Sequence, residues 1–180
     1  MFRTPALSAL TALPMLVACA APGASASPHP PPSSQQSLWP HQQALTDAAV
    51  IVDSAAGARW PDAYAGVSLD VPGGVLLVHR IPAAGLDAAV RDLAAGVRVW
   101  FVDARHSART LDGWAGRVTA DVGYWQRRGV VVHSVGTDIG QCVRVEVANP
   151  GRDSAPIIGH YQAMSLCVRQ GSPAEPLPAG

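Results

Sequence analysis

The sequence predicts an α+β fold: two ferredoxin-like ββαβ units, each with a small mixed sheet, joined by a long amphipathic helix. Three observations carry this expectation. The order strand, turn, strand, helix, strand runs through residues 64–104 and again through 131–169. Val67, Asp70, Val75, Leu77 and Pro82 recur as Val135, Asp138, Val143, Val145 and Pro150, all 68 residues further on, and self-similarity at a fixed spacing marks a repeated unit. The strand candidates are valine-rich runs closed by Gly and Pro, whereas the segments between them place apolar residues at helical spacing.

Taken in order, Leu45 to Ala56 predicts a helix that Gly57 closes, and Trp60-Pro61-Asp62 turns the chain into the first strand. In that strand Val67, Leu69 and Val71 share a face. Pro72-Gly73-Gly74 forms a hairpin-type connection. Val75 to Val78 is apolar on both sides and reads as a central strand covered on both faces. Pro82 ends it, and Leu86, Ala89, Val90 and Leu93 make a helical stripe that Gly96 stops. Val97 to Val102 is the third strand, expected to run parallel to the second because a helix connects them. Ser107 is the N-cap of the joining helix, which carries Leu111, Trp114, Val118, Val122 and Trp125 along one side and runs to about Arg127. Gly129 ends it. The second unit follows, with a turn at Gly140, a strand from Cys142 to Ala148, a weak helix near Ser154 to Tyr161, and a last strand from Met164 to Val168. Pro156 suits that helix only within its first turn.

The ends read as processing and tether. Arg3 and the apolar run from Ala6 to Ala21 predict a signal peptide over residues 1–18. Leu16-Val17-Ala18-Cys19 resembles a bacterial lipobox, which makes Cys19 the lipid-bearing residue; cleavage after Ala26, at Ala24-Ser25-Ala26, is the alternative, with a secreted product. A lipobox anchor carries more than one acyl chain, as stable membrane attachment requires. Residues 19–43 are rich in Pro, Ser and Ala and predict a disordered tether, residues 44–170 one domain, and residues 171–180 a flexible tail.

Composition narrows the partners. The 13 cationic residues, all Arg, balance 13 acidic ones, so the chain lacks the excess positive charge that nucleic-acid binding needs. Of its 3 cysteines, Cys19 is lipidated or removed, leaving Cys142 and Cys167. Both point away from the aliphatic face that Val143, Val145 and Val147 share, and adjacent strands can bridge them. A disulfide there is expected on the oxidising side of the membrane.

The search for chemistry returns little. His79, His106, His133 and His160 with Ser107 and Ser134 supply the inventory of a Ser/His/Asp triad, but no Gly-x-Ser-x-Gly elbow accompanies them, and Ser107 already has a role as a cap. No Cys-x-x-Cys, His-x-x-x-His or His-Glu-x-x-His spacing offers a metal site, and no Gly-rich phosphate loop opens a helix. Asp103 and His106 can meet across one turn. Asp70 and Asp138 stand at equivalent repeat positions, where hydrogen bonds to the turn backbone explain them. No catalytic residue, cofactor or metal ligand is therefore assigned. Trp100 is the residue of most interest. It lies on the strand face opposite Val97, Val99 and Phe101, either packed under the joining helix or exposed beside Arg98 as a contact anchor, and Trp and Arg dominate binding hot spots.

Tyr64-Ala65-Gly66-Val67 with Asp70, Val97-Arg98-Val99, His106-Ser107 with Leu111, and Val135 to Asp138 with Val143 to Val147 together resemble the pro-region of alpha-lytic and streptogrisin-type bacterial serine proteases. The resemblance covers residues from about Tyr64 to Arg169. It implies a shape and a protein-binding habit, since such pro-regions cradle their protease, help it fold and block its active site. Trp114, Tyr124-Trp125 and Arg127-Arg128 depart from the family pattern, and no protease domain follows in this sequence. The expectation is an exported, lipid-anchored, non-enzymatic protein-binding module whose partner is a secreted serine protease or another cell-surface protein. Two alternatives stand beside it: a small-ligand binder or enzyme using a cleft between the halves, and a structural envelope lipoprotein.

Overall fold

The structure is a computed structural model describing residues 41–173. The expected signal peptide, Cys19 and the alternative cleavage site lie outside the described residues. Two mixed three-stranded sheets form. The first contains β1 (Tyr64–Asp70), β2 (Val75–Arg80) and β3 (Arg98–Asp103) in that spatial order; the second contains β4 (Val132–Asp138), β5 (Cys142–Val147) and β6 (Leu166–Gln170) in that order. In each, the first pair is antiparallel and the second parallel. The helices are α1 (Gln42–Arg59), α2 (Leu86–Leu93), α3 (Ala108–Ala120), α4 (Val122–Gln126) and α5 (Pro150–His160). This is the predicted α+β class. Among the described residues no helix is long and apolar enough to cross a membrane.

The sheets repeat in detail. Both first strands carry a register shift, between Tyr64 and Gly66 and between Val132 and Ser134, so the 68-residue offset holds there. Four residues then separate Asp70 from its partner Val75, but only three separate Asp138 from Cys142. Beyond the turn the structural offset is therefore 67, and the expected match of Val75 with Val143 is corrected. Leu76 and Val78 correspond to Val143 and Val145, and each pair faces its helices with 0 % exposure.

The repeat also reaches further back than expected. Leu45, Ala48, Val52 and Ala56 of α1 pack over the first sheet with Leu86 and Val90 of α2. Leu111, Trp114 and Val118 of α3 take the same spacing over the second sheet, with Ile157 of α5 and Trp125 of α4. The joining helix is thus the first helix of the second unit, and α1 is its counterpart. Unlike α1 it breaks, at Asp121. The Asp121 carboxylate accepts from the Tyr161 hydroxyl at 2.9 Å, and that hydroxyl accepts from Trp125 Nε1 at 3.1 Å. Trp125, beyond the break, is 3 % exposed and packs in the second core.

Several boundaries move for identifiable reasons. Gln42 and Gln43, expected in the tether, belong to α1. Gly57 lies within α1 instead of ending it, and a β-carbon there would be in ordinary contact with the Tyr64 ring at 3.7 Å. Pro156 lies inside α5 beyond the first turn. The helix around it is held at its start by Pro150 and by Asn149, whose side chain accepts from Arg152 N at 3.3 Å, and beside it by the fully buried Ile157. The last strand begins at Leu166, two residues later than expected, and Gly171, expected in the tail, still donates its N–H to the Val147 carbonyl at 3.0 Å. Strand β2 is central, but it is not sealed on both sides: Leu77 on its outer face is half-buried.

Candidate interaction face and the seam between the halves

Alternation along the strands gives each sheet an outer face turned away from its helices. On the first sheet the rows across β1, β2 and β3 are Asp70–Val75–Arg98, Ser68–Leu77–Trp100 and Gly66–His79–Val102. Trp100 stands 57 % exposed in the middle row, so of its two expected roles it takes the exposed one. The neighbouring Arg98 is exposed but not free: its guanidinium donates to the Gly73 carbonyl at 2.5 Å. The Asp70 carboxylate accepts from Gly73 N at 3.0 Å, so it braces the same turn, as expected. A β-carbon at Gly73 would fall 2.2 Å from an Asp70 oxygen, so a side chain there would displace this carboxylate.

The second sheet fills the equivalent positions differently. The β2–β3 register sets Leu77 against Trp100 and the β5–β6 register sets Arg144 against Cys167, so Cys167 occupies the place of Trp100 and Cys142 that of Val75. The disulfide between them, with a Cα–Cα distance of 5.9 Å, is formed as predicted. Around it Asp138 pairs with Arg144 at 2.8 Å and with Arg169, and Ser134 donates to Glu146 at 2.7 Å. Asp138 thus serves an ion-pair network and not the turn backbone expected from its equivalence to Asp70. One outer face carries a projecting indole beside Leu77; the other is crossed by ion pairs and covalently stapled. Asp138, Cys142 and Cys167 bring ligand-type atoms within 4.8 Å of one another, but both sulfurs are committed to the disulfide.

The halves meet where the β4–β5 turn docks on the first unit. Gly140 has φ +68°, and its carbonyl accepts from Arg105 N at 2.8 Å and His106 N at 3.2 Å. A β-carbon at Gly140 would lie 2.6 Å from Ala104 Cβ. Ile139 lies against Gly66, where a β-carbon would be 3.1 Å from its Cγ2. His106 Nε2 meets Ser165 Oγ at 2.7 Å, and its ring lies edge-on to Trp114. Sequence reasoning missed this docking. The available signal was Gly66, a glycine inside a strand, which often marks close approach of another chain segment.

The candidate catalytic residues are spread among structural partners. Ser107 caps α3, its Oγ accepting from Thr110 N at 3.2 Å. Asp103 pairs with Arg80, so the expected meeting with His106 does not form. Ser68 Oγ and His79 Nε2 are 3.0 Å apart; His79 Nδ1 is buried without a partner, and burial lowers the pKa of the ring. His160 stacks on Tyr124 and lies edge-on to Trp125 and Tyr161. Beside Arg98 a hollow of about 390 Å³ is lined by His41, Leu45, Pro72, Gly74, Gly96 and Val97 among others; it holds no Ser–His contact. Comparison of the chain with protein-family models, with characterised proteins and with solved structures returned no match.

Proposed function

We propose that this chain is an exported, lipid-anchored, non-enzymatic module that binds another protein through the outer face of its first sheet. The observation that carries this reading is the exposure of Trp100 on a sheet face whose counterpart is held by a disulfide and ion pairs. A large aromatic exposed at 57 % gains little for the isolated fold, whereas Trp and Arg are both among the residue types enriched at binding hot spots. Arg98 is held by the Gly73 carbonyl, so less of its rotamer freedom remains to be lost on association. The lipobox-like Leu16-Val17-Ala18-Cys19 supports anchoring on the extracytoplasmic side. The likeness to protease pro-regions points to a secreted serine protease as the partner, which the module inhibits or helps to fold. Incubation with a panel of secreted serine proteases should yield a stable complex or slowed hydrolysis with at least one member. No complex and no change in rate across the panel would remove the protease as partner.

A further inference from the structure

Beside the seam between the halves, one strand over from the residue that the second half covers, stands a titratable ring that the fold leaves without full hydrogen bonding. His79 is the register partner of Gly66, and Gly66 is the residue that Ile139 of the second half covers. Its Nε2 meets Ser68 Oγ at 3.0 Å, while its Nδ1 is shut away from solvent with no partner among the described residues. A neutral ring can leave one nitrogen as a bare acceptor. A protonated ring carries an N–H at both nitrogens and a charge, and a buried charge without a counter-ion is strongly disfavoured.

The neighbouring charges are engaged elsewhere. Asp70 and Arg98, on the same sheet face, both bind the Gly73 backbone. Asp103 is held by Arg80, which also holds Asp87. From the second half, Asp138 is committed to Arg144 and Arg169. His106, the other ring in the seam, keeps its contact with Ser165 in either protonation state, since a hydroxyl can accept as well as donate. Beside the seam, Arg109 is paired with Asp62.

We propose that protonation of His79 opens this seam: the Ile139–Gly140 turn withdraws from Gly66 and Ala104, and water reaches Nδ1. Burial alone holds the ring below the ordinary histidine value of 6.5 in the closed form. Above 6.5 both forms are neutral and closure is unaffected. As pH falls below 6.5 the open form takes up its proton first, so closure weakens until the pH passes the lowered value of the closed form. Each unit between the two values weakens closure about tenfold.

The amides of Arg105 and His106 report the seam directly, because both donate to the Gly140 carbonyl. Their hydrogen exchange should be measured at about pH 7.5 and about pH 5, spanning histidine titration, with intrinsic rates corrected. The wild-type protein should lose protection at the lower pH, and His79→Phe and His79→Gln should not, while His106→Gln keeps the wild-type response. Unchanged protection in the wild type, or an equal loss in both His79 variants, overturns the proposal. The ring's own titration by NMR gives a readout independent of any variant: a value at or above 6.5 contradicts it, and one below supports it.

Discussion

At position 140 a side chain has nowhere to go. Gly140 combines φ +68° with an Ala104 methyl where its β-carbon would be, whereas Gly96, at φ +86°, has nothing within 4 Å of that point. Backbone strain alone, about 1 kcal/mol, applies to both, and overpacking adds about 1–3 kcal/mol at position 140 only. Gly96→Ala should therefore cost about 1 kcal/mol and Gly140→Ala about 2–4 kcal/mol in urea unfolding. Equal costs would show that the turn yields without resistance. The position of Trp100 was legible from alternation, because Val97, Val99 and Phe101 claim the core side of the strand and leave Trp100 the other. The partners of His79 and His106 were not legible. Ser68 is on the adjoining strand, and Ser165 lies 59 residues from His106 along the chain.

Among the elements, β6 illustrates how a short edge strand is retained. It pairs with β5 alone, and the Cys142–Cys167 bridge fastens it there. Closing a loop of 25 residues should stabilise the fold by ~3 kcal/mol through loss of unfolded-state entropy. The untreated, denatured protein should show no free thiol at these positions, and reduction should lower its unfolding free energy by about that amount. The break between α3 and α4 rests on the Tyr161 hydroxyl, which links Asp121 to Trp125. Tyr161→Phe keeps the ring and removes both bonds; it should cost about 1–3 kcal/mol, read from the shift in denaturation midpoint. The break was hidden in the sequence because Leu111, Trp114, Val118 and Trp125 continue one helical face through it. The residue that bonds to Asp121 at the break lies 40 positions away in the chain. Register after the first turn was misread by one residue for a related reason. A hairpin loop one residue longer leaves a valine-rich strand looking the same from either face.

For the molecule as a whole, duplication supplies two similar frames and divergence gives them different outer faces. Each half has its own core, with Leu76, Val78, Leu86 and Val90 in one and Val143, Val145, Leu111 and Ile157 in the other. The class, the strand order and the repeat were legible because they follow from local periodicity and turn residues. The docking of the halves was not, since it depends on Ile139 and Gly140 fitting a recess made by residues far away in the chain. The two outer faces differ: ion pairs and a disulfide hold the second together, while the first presents the exposed indole of Trp100. The decisive measurement is the affinity of the wild-type protein and of Trp100→Ala for a secreted serine protease that it retains, by titration calorimetry, with circular dichroism as the control for folding. Truncation of a hot-spot tryptophan costs about 2 kcal/mol or more, so binding should weaken by roughly thirtyfold or more while the fold is unchanged. Equal affinity of the two proteins would contradict the assignment of this sheet face as the binding surface.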